Sequence, residues 1–216
     1  MPDYTGNIGS HESASNSLSG KILRLPDGKL VAGVVRDLLD YEPVSGFLTW
    51  KWRDLKYCSS EQSQAAVNAR IAGKRAFTAI NTGGYYQGAI LRTQCLAHRV
   101  IWVWMTGGLP DDCIDHINRD VLDNSWMNLR QATRSQNQAN RSAYNGSASR
   151  YLGVSRRGDK WSARITANYR DDHLGTFLTE MDAAKAYDAA AVRLHGEFAN
   201  LNFPKVSSAR QIGGAA

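Results

Sequence analysis

Three short runs in which apolar and polar side chains alternate, followed by an alanine-rich stretch, leave residues 152–195 few folds to choose from. Leu152-Gly153-Val154, Trp161 to Thr166 and Asp172 to Phe177 read as antiparallel strands, and the second alternates most clearly. At period two, Trp161, Ala163 and Ile165 share one face, while Lys160, Ser162, Arg164 and Thr166 share the other. Gly158-Asp159 and the polar Tyr169–Asp172 stretch supply turns. Thr179 then reads as a helix N-cap, with Asp182 near the capping-box position. Ala183, Ala184, Ala186, Tyr187, Ala190 and Ala191 give that helix a face small enough to lie close on a sheet, and it ends near His195-Gly196. The block that contains these elements, from about Tyr151 to Pro204, has about fifty-five residues, near the lower size limit for independent folding.

A second block spans about residues 30–141, and the stretch 142–149 between the two is small and polar. Val34-Val35 and Leu38-Leu39 fit an amphipathic helical turn, and Tyr41 to Gly46 is a turn leading into Phe47–Trp50. After Gly83-Gly84, Ala89-Ile90-Leu91 and Cys95-Leu96-Ala97 suggest a hairpin. His98 to Trp104 reads as a buried helix stopped at Gly107-Gly108, and Cys113 to His116 as a short strand. From Asn124 the pattern predicts a helix with Trp126 and Leu129 facing inward. Residues 1–20 and 205–216 lack apolar periodicity and read as disordered leader and tail.

The net charge of +6 and pI near 9.3 favour a polyanionic partner, and residues 130–170 are rich in arginine with no acid before Asp159. Cys58, Cys95 and Cys113 form no C-x-x-C pair, which argues against a cysteine zinc site or a disulfide framework. No apolar run approaches the roughly 20 residues that span a bilayer. The expectation is a soluble, cytoplasmic protein with no membrane role.

Candidate chemistry concentrates after residue 112. Asp115 sets a carboxylate beside the His116 imidazole, and Asn118, Asn124, Asn128, Asn137 and Asn140 crowd the following segment with Asp120 and Asp123. A carboxylate and an amide oxygen can share one hard divalent cation. An imidazole with an ordinary pKa of about 6.5 can deprotonate a water beside it. Asparagine is a poor interior helix former, so Asn128 and Asn137 in a helical pattern ask for another role. Asn124 reads as a helix cap. Asn128 reads either as a buried hydrogen-bonding residue or as an amide holding the His116 ring from behind. His98 reads as structural, and Trp102, Trp104 and Trp126 as core.

Asp115-His116-Ile-Asn-Arg-Asp, Asp123-Asn124, Asn128-Leu129-Arg130 and Ser135-Gln136-Asn137 together resemble the HNH motif of phage- and intron-encoded homing endonucleases. Tyr41 to Trp50 and Ala97-His98-Arg99 with Trp102 resemble the same group. The resemblance implies an α+β fold with a ββα-metal (His-Me finger) core, in which a hairpin strand delivers Asp115 and His116 and a helix returns Asn137. It further implies that Asp115 and Asn137 ligate Mg²⁺ or Mn²⁺, that His116 is the general base, and that Asn128 orients it. Arg119 stands in the turn where that family commonly has glycine.

Residues 150–204 resemble plant Apetala/ethylene-response-factor DNA-binding domains through Tyr151-Leu-Gly-Val, Lys160-Trp161-Ser-Ala-Arg164-Ile, Leu174-Gly-Thr-Phe177 and Asn200-Leu-Asn202-Phe203. That implies a three-stranded antiparallel sheet packed on one helix and laid in the major groove of double-stranded DNA. Lys160 and Arg164 would then make contacts from the sheet, and Arg156, Arg157 and Arg170 from loops and strand ends. Leu152 and Ser155 stand where the plant domains usually have arginine. The two resemblances together imply a metal-dependent DNA endonuclease, monomeric or weakly dimeric. The alternative is a non-catalytic DNA-binding regulator with a decayed nuclease block.

Overall fold

The computed structural model describes residues 30–141 and 148–204, so the proposed leader, most of the linker and the tail lie outside the described residues. Helix α1 (Ala32–Leu38) runs directly into β1 (Leu39–Glu42), which pairs antiparallel with β2 (Phe47–Trp50). Helix α2 (Glu61–Ile71) follows, unannounced by any apolar stripe in its sequence. Strands β3 (Ala79–Ile80), β4 (Tyr86–Ile90) and β5 (Thr93–Leu96) form an antiparallel sheet in sequence order. Helix α3 (Ala97–Thr106) is the buried helix the apolar run predicts, and Gly107 closes it at φ 89°, with its N–H on the Val103 carbonyl.

One core binds these pieces. Val35 and Leu38 of α1 pack with Val100, Ile101 and Val103 of α3, and with Leu48, Ile90, Ile114 and Leu129 from four different strands. The same two helices are cross-tied by polar groups: Arg36 Nε donates to the Trp104 carbonyl, and Trp104 Nε1 donates to the Leu39 carbonyl at 3.0 Å. Trp102, Trp104 and Trp126 all pack against this core, as expected of them.

Strand β6 (Cys113–His116) pairs antiparallel with β7 (Leu129–Ala132), and α4 (Arg134–Ala139) follows at once. This corrects the helix predicted from Asn124. Only one 3-10 turn forms, at Trp126–Asn128, closed by the Asn128 N–H on the Ser125 carbonyl. Leu129 to Ala132 then extends because β6 offers it a ladder of partners, Leu129 opposite His116 and Arg130 opposite Asp115. Tertiary pairing overrides a weak local preference. Helix α4 starts later, at a complete capping box between Thr133 and Gln136.

The C-terminal unit matches its reading closely. Strands β8 (Val154–Arg157), β9 (Lys160–Ala167) and β10 (Arg170–Phe177) lie in the order β10-β9-β8, all antiparallel, under α5 (Glu180–His195). Ala163 and Ile165 of β9 are buried against Ala183, Ala184, Ala190 and Ala191 of the helix. Two corrections arise: the first strand begins at Val154, with Leu152-Gly153 in the turn before it, and the β9–β10 turn is shifted. It falls at Asn168-Tyr169, both with positive φ, and Arg170–Asp172 already belong to the strand. Gly153, at φ 67°, lies so close to α5 that a Cβ there would meet the Tyr187 ring at 2.1 Å.

Candidate active site

Asp115 and His116 end β6, and each is only 4% exposed. Consecutive strand residues point to opposite faces, so the strand divides the pair. The Asp115 carboxylate meets the end of α4 and β7. Asn140 Nδ2 donates to both its oxygens at 3.0 and 3.1 Å and to the His116 carbonyl at 2.9 Å. Arg130 completes the shell, with Nη2 and Nε at 2.8 and 2.9 Å from Asp115 Oδ2. The cross-strand register makes that pairing possible, because Arg130 lies directly opposite Asp115.

The His116 ring faces the other way, toward α3 and the loop that joins β6 to β7. Its Nε2 lies 3.1 Å from Asn124 Oδ1. The His98 ring meets it edge-on at 5.3 Å between centroids, and the Tyr85 ring lies 6.0 Å away. Burial pulls the His116 pKa below the ordinary histidine value, against the opposing pull of the Asn124 bond and the nearby carboxylates. Burial pulls His98 further, to about 3, with His116 and Arg99 adding like charge. Both rings are therefore neutral at neutral pH. An amide oxygen only accepts, so with Asn124 on Nε2 the ring proton sits there and Nδ1 keeps its lone pair.

The hydrogen bonds of the Asn128 amide run to the loop and not to the His116 ring, where the resemblance would place one. Both ends of that amide are already committed: Oδ1 accepts from the Asn118 N–H at 2.9 Å, and Nδ2 donates to the Asp123 carbonyl at 2.7 Å. It acts at one remove by stapling residues 118–128 into the shape that presents Asn124. A ladder of side chains on backbone N–H groups finishes the loop, Asn118 on Asp120, Asp120 on Leu122 and Asp123 on Ser125. Arg119 takes φ 68° in this turn, the left-handed conformation that glycine would adopt freely, and its guanidinium reaches Asn200 of the C-terminal unit.

The N-terminal hairpin holds Asn124 from outside. Tyr41 Oη donates to the Asn124 carbonyl at 2.9 Å, and the Trp126 N–H donates to the Pro43 carbonyl at 2.9 Å. Gly46, at φ 74°, comes so near that a Cβ there would stand 2.4 Å from the Asn124 carbonyl carbon. Only glycine fits this contact.

Asn137 lies on α4, half-buried, three residues before Asn140 and so on the same helix face. The contacts to Asp115 come from Asn140 and Arg130. Nothing local in the sequence marks either residue, or Asn124 as ring partner, for the part it plays, beyond the one helical turn that separates Asn140 from Asn137. The β6–β7 register that aims Arg130 was hidden by the misplaced helix. Among the described residues, no group of three or more His, Cys, Asp or Glu side chains clusters as a metal site. The three cysteines are free.

In the C-terminal unit, Arg156, Arg157, Lys160, Arg164 and Arg170 are all exposed. Register separates them. Arg157 pairs with Lys160, which shares the polar face of β9 with Arg164, whereas Arg156 pairs with Trp161 and Arg170 with Ala167 on the opposite parity. The unit also reaches the Asp115 site directly. Arg130 Nη1 donates to the Glu197 carbonyl at 2.9 Å, and its guanidinium lies 3.8 Å over the Phe198 ring.

Residues 95–139 match the HNH endonuclease family. Over 108 residues the chain is 34% identical to an uncharacterized HNH endonuclease of Acanthamoeba polyphaga mimivirus, covering 49% of this chain and 56% of that protein. Over 87 residues it is 42% identical to an AP2-like ethylene-responsive transcription factor of Arabidopsis thaliana, covering 35% of this chain and 15% of the plant protein. A rice AP2/ERF and B3 domain-containing protein is 45% identical over 58 residues, 26% of this chain and 16% of that one. The chain thus spans about half the length of the mimivirus relative and under a fifth of the plant ones. Residues 95–139 are thus similar to HNH endonucleases, and a further segment is similar to AP2-type proteins. Among the described residues no helix is long and apolar enough to cross a membrane.

Proposed function

We propose that this chain is a divalent-metal-dependent endonuclease that hydrolyses phosphodiester bonds in duplex DNA, with the C-terminal unit holding the substrate. The observation that carries the reading is the His116 ring, which is buried and neutral. Its Nε2 is committed to Asn124, within the stretch that matches the HNH endonuclease family. In that state Nδ1 can take the proton of a water as its oxygen attacks phosphorus, and a neutral base of this kind contributes typically two to four orders of magnitude in rate. Asn128 keeps the loop closed, and Asn124 keeps the ring from turning or changing tautomer.

Asp115 and Asn137 carry the donor types of a hard cation, a carboxylate and an amide oxygen, and a cation such as Mg²⁺ or Mn²⁺ would have to take the place of part of the Arg130 and Asn140 shell that holds Asp115 here. Bound there, it would polarise the scissile phosphate and stabilise the leaving 3′ oxygen. Arg157, Lys160 and Arg164, on one face of the C-terminal sheet, would contact DNA from the polar side, with Arg156 and Arg170 flanking.

Supercoiled plasmid incubated with the full chain tests this. Nicked or linear product with Mg²⁺, lost on chelation and lost in His116→Ala with DNA binding retained, is expected. Cleavage that survives both chelation and His116→Ala overturns the mechanism. Binding with no cleavage at all would establish the chain as a non-catalytic DNA binder.

A further inference from the structure

Away from Asp115 and His116, the N-terminal block holds a cavity of about 720 Å³ whose lining shares no residue with that site. Arg53, Arg70 and Arg92 converge on it from three separate elements, and no carboxylate lines it. None of the three guanidiniums takes part in an ion pair among the described residues. Two acids of the neighbouring segments are already committed: Asp54 caps the Lys56 N–H, and Asp37 holds Lys56 and the Tyr57 hydroxyl. Arg53 Nε is buried with no hydrogen-bond partner at all. A buried donor left unpaired is uncommon and costly, so an absent acceptor is the natural reading.

The surroundings are built to hold that arginine in place. Asn68 of α2 is only 3% exposed, and its whole amide is spent on the Arg53 backbone: Oδ1 accepts from the Arg53 N–H at 2.7 Å, and Nδ2 donates to the Arg53 carbonyl at 3.0 Å. Gln64 adds a third bond, to the same carbonyl. Helix α2, which has no apolar stripe, is docked here by these amides, and docking it brings Arg70 beside Arg53. Arg92 arrives through strain. The two-residue β4–β5 turn is Leu91-Arg92 with φ 46° and 66°, where Asn-Gly would sit without penalty. Backbone strain of this kind collects at functional sites.

We infer that this cavity binds the phosphate ester of a nucleotide unit. Guanidinium forks match phosphate oxygens two by two, and three of them without a competing carboxylate exceed what a solvated surface needs. Trp50 and Tyr57 supply flat walls beside them, with the Arg53 guanidinium 5.8 Å from the Trp50 ring. The volume lies within the range of small-ligand sites. The unit is either part of a strand lying across this face, which deepens the DNA-nuclease reading, or a free nucleotide.

The test uses the full chain and its Arg70→Gln/Arg92→Gln variant, both changes on exposed side chains. Binding of a duplex oligonucleotide is followed by anisotropy across salt, and binding of inorganic phosphate and thymidine 5′-monophosphate by calorimetry. If a strand occupies the cavity, the salt slope falls by about 2 in the variant and neither small probe binds. If a free nucleotide occupies it, the monophosphate binds the parent, the variant loses at least about tenfold, and the slope is unchanged. A variant indistinguishable from the parent with all three probes overturns the proposal. Should the double variant melt early, Arg92→Gln alone gives readings in the same direction, with the salt slope falling by about 1. Cleavage lost in His116→Ala with these readings intact separates this site from the nuclease proposal.

Discussion

Arg130 holds the Asp115 carboxylate with two nitrogens on one oxygen, 2.8 and 2.9 Å away, while its guanidinium carbon lies over the Phe198 ring. One side chain thus joins the candidate cation ligand to the C-terminal unit. Breaking a buried ion pair by removing one partner leaves the other charge uncompensated. Arg130→Leu is therefore expected to lower unfolding free energy by about 3 kcal/mol, read by urea denaturation. Lysine at the same position should recover only part of the loss, because it lacks the fork. A variant as stable as the parent would show that the pair contributes nothing net.

Asn124 and Asn128 should fail differently. Asn128→Ala strips partners from two loop backbone groups and is expected to cost about 2 kcal/mol of stability. Asn124→Ala should fold, yet lose about tenfold or more in single-turnover cleavage because the His116 proton is no longer pinned to Nε2. Nitrogen NMR of the imidazole would show mixed tautomers in that variant and a single one in the parent.

The buried histidines set a pH dependence whose sign follows from their lowered pKa values. His98 titrates near 3 when folded and near 6.5 when unfolded, so between those limits the unfolded chain binds the extra proton. Stability is full above about pH 6.5 and declines as pH falls, by about 1.4 kcal/mol per pH unit for one histidine. His116, lowered for the same reason, adds in the same direction. Denaturation at neutral pH and near pH 5 should show a smaller difference for His98→Gln than for the parent.

Charge on the C-terminal sheet should register in salt dependence. Replacing Arg157, Lys160 and Arg164 together by glutamine is expected to flatten the slope of log affinity against log salt by nearly 3, at about 0.9 per phosphate contact. The same change at Arg156 and Arg170, on the other parity of the sheet, should flatten it less per residue. Equal effects from both sets would mean that register does not decide which face meets the polyanion.

The C-terminal unit was legible almost throughout because local pattern and tertiary structure agree there. Period two in Trp161–Thr166, small residues at helical spacing after Thr179, and a capping threonine all speak for the same packing. The candidate site was half legible. Asp115, His116 and the asparagine spacing mark the place, but local signals do not encode which strand pairs with β6. Without that pairing neither Arg130 nor the stapling work of Asn128 can be read. Helix α2 escaped for a related reason: it is fixed by Asn68 and Gln64 on the Arg53 backbone, contacts that leave no periodic trace.

The Gly46 turn resting on Asn124 also defines how small a portable version of this site can be. Residues 113–140 carry the side chains with chemistry, yet the amide that selects the His116 tautomer is held by Tyr41, Pro43 and Gly46. Grafted alone onto another scaffold, that segment would bring its histidine without the means to keep it in one protonation form. The smallest unit that recombination could move intact begins at the first hairpin.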